Sequence, residues 1–223
     1  MDLEVQKTAD GSDTVLNKSI GVHYHSTNGA ITEAEHVFIT AGLNHFSQSD
    51  IAILEVGLGT GLNAALTAMH ADEKGLKVSY VGLELYPLNT EFVGKIGYQK
   101  QLPSAAATAW NAISNAPWNA EFALGTNFTM TKQQADFTCW VSNQQFNLIY
   151  FDAFAPDCQP EMWAPEQFKK LYAMLKHGGV LVTYSAKGIV KQALRDAGFT
   201  VKRLPGPPGK HHMLKAIKEV AAH

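Results

Sequence analysis

The sequence predicts an α/β chain: a mostly parallel seven-stranded sheet with an antiparallel last strand, preceded by a small N-terminal β-hairpin and helix. Three observations predict it. From residue 51 onward, short apolar runs alternate with stretches of helical periodicity, the pattern of a parallel sheet covered on both faces. The first run passes into its helix through a glycine-rich turn, Gly57-Leu58-Gly59-Thr60-Gly61. The last two runs, 199–204 and 211–217, are joined by Pro205-Gly206-Pro207-Pro208-Gly209 with no helix between them, which reverses the final strand.

Taken in order, residues 14–16 and 22–25 read as short strands, with Asp10-Gly11 and Asn28-Gly29 supplying turn chemistry. Residues 30–41 read as a helix, with Thr32 and Glu35 in capping-box spacing. Together, residues 1–48 are expected to form a cap packed on a main domain of residues 49–220. That domain begins with strand 51–56 and helix 59–71, then strand 77–85 and a return to helix after Pro87. Strand 128–135 follows, then the apolar strand 146–154, which carries a carboxylate near its end. Helix 165–175 is closed by His177-Gly178-Gly179, a C-terminal stop signal. Strand 180–185, helix 189–197 and the final strand pair complete the seven.

The chain has 223 residues, enough for one α/β domain with a sizeable core. A hydrophobic content of 46% with 17% charged residues excludes a largely disordered chain. No apolar run approaches the roughly 20 residues that span a bilayer, and the polar, acidic start predicts no signal peptide. The expected compartment is the cytoplasm. Cys139 and Cys158 lack CxxC or Cys/His spacing, so free thiols are expected and no metal site. Net charge is −2, yet Lys187 to Lys218 holds eight basic residues against Asp196 alone. Such a segment suits a phosphate-bearing partner or, equally, solvated helix faces in a lysine-rich tail.

Glu55-Val56-Gly57-Leu58-Gly59-Thr60-Gly61 sits at a strand-to-helix turn, where the backbone bends sharply and comes close to a ligand. The helix N-terminus there offers unpaired N–H groups. Gly59-x-Gly61-x-x-Ala64 also matches the dinucleotide fingerprint, so the loop alone does not choose between nucleotide cofactors. Glu84, ending the second strand, is placed to accept from ribose hydroxyls. Asp136, after the third, is placed to accept from an adenine amino group or to cap the residues that follow it. Asp152, in Phe151-Asp152-Ala153-Phe154-Ala155-Pro156, should face the crevice near Gly57–Gly61, because open α/β sheets bind ligands at the carboxyl ends of their strands. A carboxylate between Phe and Pro is partly desolvated and would accept strongly from an amine.

Here the chain resembles the methyltransferase half of the bifunctional tRNA-modifying enzymes of the MnmC family, and more closely their stand-alone form, MnmD. The matching segments include Tyr24-His25-Ser26, Gly29-Ala30-Ile31-Thr32-Glu33, His36-Val37-Phe38, Glu55 to Asn63, Glu84 with Pro87-Leu88, and Phe151 to Pro156 with Pro160-Glu161-Met162-Trp163. Further matches are Thr183-Tyr184-Ser185, Ala197-Gly198-Phe199 and Gly209-Lys210. The resemblance runs from about residue 8 to residue 218. It departs from the family where many members carry Gly-Asp and this chain carries Ala135-Asp136.

The resemblance implies a class I, Rossmann-like fold, S-adenosylmethionine as cofactor, and methylation of the amine of 5-aminomethyl-(2-thio)uridine at the tRNA wobble position. Asp152 and Tyr184 are its expected catalytic residues. Glu55, Gly57, Gly59, Thr60, Gly61, Asn63, Glu84 and Asp136 would hold the cofactor, with Ser26 and Glu33 closing over it. Phe154 and Trp163 would stack on the splayed base, and Lys187, Lys191, Lys202, Arg203 and Lys210 would grip phosphates of the anticodon stem-loop. A separate flavin-dependent oxidase is the expected source of the aminomethyl group. The rival readings are a polyamine aminopropyltransferase, with a similar N-terminal hairpin and an amine-handling Asp, and a non-catalytic RNA-binding module. A nicotinamide oxidoreductase fits less well, since no Tyr-x-x-x-Lys pair or second catalytic domain accompanies the glycine loop.

Overall fold

In the computed structural model, residues 2–47 and 49–220 are described; residues 1 and 48, the bounds of the expected cap, lie outside them. The cap region starts with a three-stranded antiparallel sheet rather than two strands. β1 (Leu3–Lys7) pairs with β2 (Asp13–Asn17), which pairs with β3 (Val22–His23). β1 escaped the sequence reading because five residues with polar flanks carry too short an alternation to stand out. A short helix, α1 (Ala30–Ala34), continues directly into a π-helical stretch, Glu35–Thr40. Thr32 and Glu35 do not form the expected capping box. The first N–H groups of α1 are satisfied from the β1–β2 turn instead: Ser12 Oγ accepts from Ala30 N at 3.1 Å, and Asp10 Oδ2 from Thr32 N at 3.0 Å. A tertiary cap thus replaces the local one.

The main sheet has eight strands, one more than predicted. β4 (Asp50–Val56), β5 (Lys77–Glu84), β7 (Phe128–Gln134), β8 (Phe146–Phe151) and β9 (Leu175–Thr183) run parallel. β11 (His212–Ile217) runs antiparallel to β9, with β10 (Thr200–Pro205) outside it, so the reversal read from the Pro/Gly loop is present. The additional strand, β6 (Glu121–Leu124), pairs antiparallel with β7 at the opposite edge. Across the sheet the order is β10-β11-β9-β8-β4-β5-β7-β6. β4 therefore has β5 on one side and β8 on the other, and the crevice between their carboxyl ends is the topological switch point.

The stretch after Pro87 holds three helices, α3 (Thr90–Val93), α4 (Tyr98–Gln101) and α5 (Ser104–Asn115), with Pro103 separating the last two. α2 (Leu62–Glu73) is buried on nearly every side, because it lies between the sheet, α5 and the π-helical stretch of the cap. The opposite face is covered by α6 (Pro165–Met174) and α7 (Gly188–Asp196), whose Phe168, Leu171, Val190 and Leu194 are fully buried. Each such side chain contributes roughly 1.5–3 kcal/mol. His177-Gly178-Gly179 does not cap α6. The helix ends at Met174 and the chain enters β9 at once, with the glycines in an irregularity of the β8–β9 register.

Candidate functional site

The glycine turn is shaped by its neighbours. Gly57 N and Leu58 N both donate to the Leu83 carbonyl, at 3.0 and 2.9 Å, pinning the end of β4 to β5. Gly57, Gly59 and Gly61 all have positive φ, of 91°, 52° and 76°. At Gly57 a Cβ would lie 2.5 Å from the Asp152 carbonyl oxygen, so the absence of a side chain there lets the turn after β8 close in. Thr60 faces inward: its Oγ1 bonds His25 Nε2 at 2.9 Å and its carbonyl accepts from Trp110 Nε1 at 2.9 Å.

A cavity of about 400 Å³ opens over the carboxyl ends of β4, β5 and β8. Of the residues predicted to form the site, Gly57, Gly59, Glu84, Asp136, Asp152 and Phe154 line it; Thr60, Gly61, Glu55, Asn63, Ser26 and Glu33 do not. Glu84 accepts from Gly59 N on one oxygen and from Tyr86 N on the other, at 3.0 and 2.9 Å, which fixes its carboxylate at the rim of the turn. Burial raises its pKa. Asp136 uses Oδ1 on Thr138, at 2.8 Å to N and 2.7 Å to Oγ1, closing a turn rather than capping a helix. Its Oδ2 makes no hydrogen bond among the described residues.

The apolar wall was largely missed by the sequence reading. Leu85, Tyr86 and Met162 line the cavity, as do Ile20, Tyr24 and His25 of the cap. Tyr24 meets Phe154 edge to face, with ring centroids 5.1 Å apart. Ile20 is 53% exposed and Tyr86 57%, so the mouth has an apolar rim. The Tyr24-His25 segment was the available signal, since it belongs to the resemblance.

Asp152 is the carboxylate at the switch point. Desolvation raises its pKa to about 7; Glu33 adds to the rise, while the Asn63 hydrogen bond and Lys210 oppose it. Glu55 and Asn63 lie behind the cavity wall, not in it. The Asn63 amide Nδ2 donates to Asp152 Oδ2 at 2.9 Å and to Glu55 Oε1 at 2.8 Å. Glu55 Oε2 in turn accepts from the Tyr80 hydroxyl at 2.7 Å. Glu55 is fully buried, and desolvation lifts its pKa to about 8. Asn63 thus reaches Asp152 from within, with Glu55 behind it, and neither lines the cavity.

Tyr184 and Trp163 have a similar outcome. The Tyr184 hydroxyl donates to the Ala153 carbonyl at 2.8 Å, so it is occupied on the turn after β8. Trp163 Nε1 donates to the Phe154 carbonyl at 2.7 Å, and its ring is buried among Phe151, Phe168 and Tyr184. Neither lines the cavity; together they clamp consecutive carbonyls of the turn that carries Asp152. Trp163 has no free face on which a base would stack.

The basic segment divides. Lys210 pairs with Glu33 and stands 3.9 Å above the Tyr184 ring; Lys187 pairs with Asp157. Lys215 and Lys218 donate to the carbonyls of Ala41 and Tyr172. Lys191, Arg195, Lys202 and Arg203 make no side-chain hydrogen bond or ion pair among the described residues. Lys202 and Arg203 are exposed neighbours on edge strand β10, and their side chains leave opposite faces of it.

The carboxylates of Glu84, Asp136 and Asp152, a positive-φ glycine turn and an apolar wall around one cavity suit a ligand that joins a flat base, vicinal hydroxyls and positive charge. Residues 105–219 match the model of a family described as S-adenosyl-L-methionine-dependent methyltransferase. The tRNA 5-methylaminomethyl-2-thiouridine biosynthesis bifunctional protein MnmC of Burkholderia mallei is 32% identical over 90% of this chain; the chain spans 33% of that protein. The solved structure of MNMC2 from Aquifex aeolicus superposes with a TM-score of 0.82 at 25% identity, covering 99% of this chain and 72% of that one. Spermidine synthase from Thermotoga maritima shares the fold alone, with a TM-score of 0.57 at 12% identity over 100% of this chain and 81% of its own. A cavity with these acids and the family match lead to one assignment: the chain belongs to the S-adenosyl-L-methionine-dependent methyltransferases.

Proposed function

We propose that the chain transfers a methyl group to the amine of 5-aminomethyl-(2-thio)uridine at the tRNA wobble position. The observation that carries this reading is Asp152, a desolvated carboxylate held on one oxygen by Asn63 at the wall of the cofactor cavity, beside Phe154. The named relatives support the choice of amine and of tRNA, and the chain aligns with about a third of the bifunctional protein. In this reading residues 1–48 are a cap on the catalytic domain of residues 49–220.

Bound S-adenosylmethionine supplies an activated methyl on a sulfonium. Glu84 would hold the ribose hydroxyls, Asp136 the adenine amino group, and Leu85 and Met162 the base. Asp152 accepts an N–H of the incoming amine, directs the nitrogen lone pair toward the methyl and balances the charge of the ammonium product. With its pKa near 7 it is also basic enough to take the amine's proton at neutral pH. Phe154 packs on the splayed uridine, while Lys191, Lys202 and Arg203 meet phosphates of the anticodon stem-loop.

A separate flavin-dependent oxidase is the proposed source of the aminomethyl group, and the cytoplasm the proposed compartment. Among the described residues no helix is long and apolar enough to cross a membrane. The test is transfer of labelled methyl from S-adenosylmethionine to tRNA lacking the final wobble methylation, with nucleosides resolved by mass spectrometry. Label in 5-methylaminomethyl-(2-thio)uridine is the expected result. Saturable cofactor binding with no label in any RNA rejects the substrate.

A further inference from the structure

The loop between β10 and β11 is fastened to the cap at the far end of the chain. His36 Nε2 bonds the Pro205 carbonyl at 2.9 Å. Gly209, with φ of 83°, sits so close to Asn28 that a Cβ would lie 2.0 Å from its side-chain nitrogen. The next residue, Lys210, reaches Glu33 and covers the Tyr184 ring. Glu33 is 6% exposed, and its second oxygen accepts from Ser26 N at 2.8 Å. A buried carboxylate paired this way is costly to build. The pair reaches the turn of Asp152 through Tyr184, whose ring lies under Lys210 and whose hydroxyl holds the carbonyl of Ala153, the residue after Asp152; its two charges bear on Asp152 with opposite signs.

The geometry points to Glu33 and Lys210 as a positioning pair for Asp152: the C-terminal loop delivers a cation that cancels the cap's buried carboxylate, leaving Asp152 as the anion that meets the substrate amine. The inference rests on the proposed role of Asp152. Without Lys210, Glu33 and Asp152 are like charges in one desolvated region, and the repulsion holds the proton on Asp152 more tightly. Among the other groups around them, Asn63 alone favours the anion, through its hydrogen bond to Asp152. Glu55 acts from behind Asn63 and is an acid itself, with Tyr80 at its back. Tyr184 lies under Lys210 as an uncharged ring. His25, beside Glu33, is pushed down to about 4 by burial and stays neutral at physiological pH.

The test follows the carboxyl titration of Asp152 by carbon-13 NMR, assigned against Asp152→Asn, together with the pH dependence of methyl transfer. Lys210→Met should raise the Asp152 midpoint by about one pH unit, and Glu33→Gln should lower it. The double variant should return close to the starting value, and Lys210→Arg should preserve it. Should Lys210→Met not fold, Glu33→Gln, nearly isosteric, decides by the sign of its shift. Midpoints unmoved in folded single variants overturn the inference, whatever the activity. Midpoints that move as expected with no methylation of tRNA uphold the pair and reject the substrate instead.

Discussion

Asn63 and Asp152 are joined through the Asn63 amide nitrogen, 2.9 Å from Asp152 Oδ2, and that same nitrogen holds Glu55 Oε1 at 2.8 Å. One planar amide thus fixes a cavity carboxylate from the first turn of α2. Asn63→Ala should free the Asp152 side chain to rotate and remove a charge-assisted hydrogen bond of about 1.5–3 kcal/mol. The expected outcome is a kcat for methyl transfer lower by roughly 10- to 100-fold, with cofactor affinity within a few-fold, because Asn63 does not line the cavity. Calorimetric titration of S-adenosylmethionine beside steady-state kinetics checks both. Loss of cofactor binding equal to the loss of rate would return Asn63 to a cofactor-holding role.

Stability should carry the mark of the same network. Burial lifts Glu55 from 4.5 to about 8 and Asp152 from 3.8 to about 7. Between those limits the folded chain keeps protons that the unfolded chain has released. Their contribution to folding is therefore full below about pH 4 and is lost as pH rises through 7 to 8. Glu55→Gln should flatten this loss, raising Tm by several degrees at pH 8.5 and giving no gain at pH 4, as read by thermal unfolding across that range. An equal Tm change at every pH would mean that Glu55 does not titrate there.

Much of this arrangement could be read from residue order, and the exceptions share a cause. Sheet direction, the switch point and the placement of Asp152, Glu84 and the glycine turn follow from strand periodicity and from which residues end strands. β6 and β1 were missed because each is short and only half buried. Tyr184, Trp163, Glu55 and Lys210 are recognised by resemblance, but the contacts they make within the fold are not. Their partners are backbone carbonyls for Tyr184 and Trp163, the Tyr80 hydroxyl for Glu55 and the Glu33 carboxylate for Lys210, which no local pattern reveals.

Trp163 separates a clamp from a base platform. Trp163→Phe keeps an aromatic ring but leaves the Phe154 carbonyl without its donor, at a cost of about 1–3 kcal/mol for a buried acceptor. Tm should fall by roughly 2–10 °C, while tRNA affinity of the folded variant changes little. Filter binding that weakens tenfold with Tm intact would restore the stacking role.

At Gly57 the geometry predicts an unusually severe alanine effect. An added methyl meets the Asp152 carbonyl at 2.5 Å, and φ of 91° is strained for any L side chain. Gly75 also has positive φ, 63°, but open space around it. Gly75→Ala should therefore cost only the backbone term, about 1 kcal/mol. Gly57→Ala should abolish cofactor binding or folding, because the turns after β4 and β8 must separate. Thermal unfolding and cofactor titration of the two variants side by side make the comparison, and equal effects would remove the close approach as the reason for glycine.

Under the proposed function, the cations on β10 that pair with none of the described residues predict how RNA would be held. Lys202 and Arg203 have no partner among the described residues, unlike Lys187 and Lys210, which already have acids. If phosphates are their ligands, Lys202→Ala and Arg203→Ala should each weaken tRNA binding and reduce the slope of log affinity against log salt by about one. Lys187→Ala should change the slope less, since its charge is partly neutralised by Asp157. Because the two β10 side chains leave opposite faces of an edge strand, an RNA touching both must wrap that edge. A double variant with the slope change of only one single variant would show that one face alone meets the backbone, and would place the anticodon stem on the side of the residue that matters.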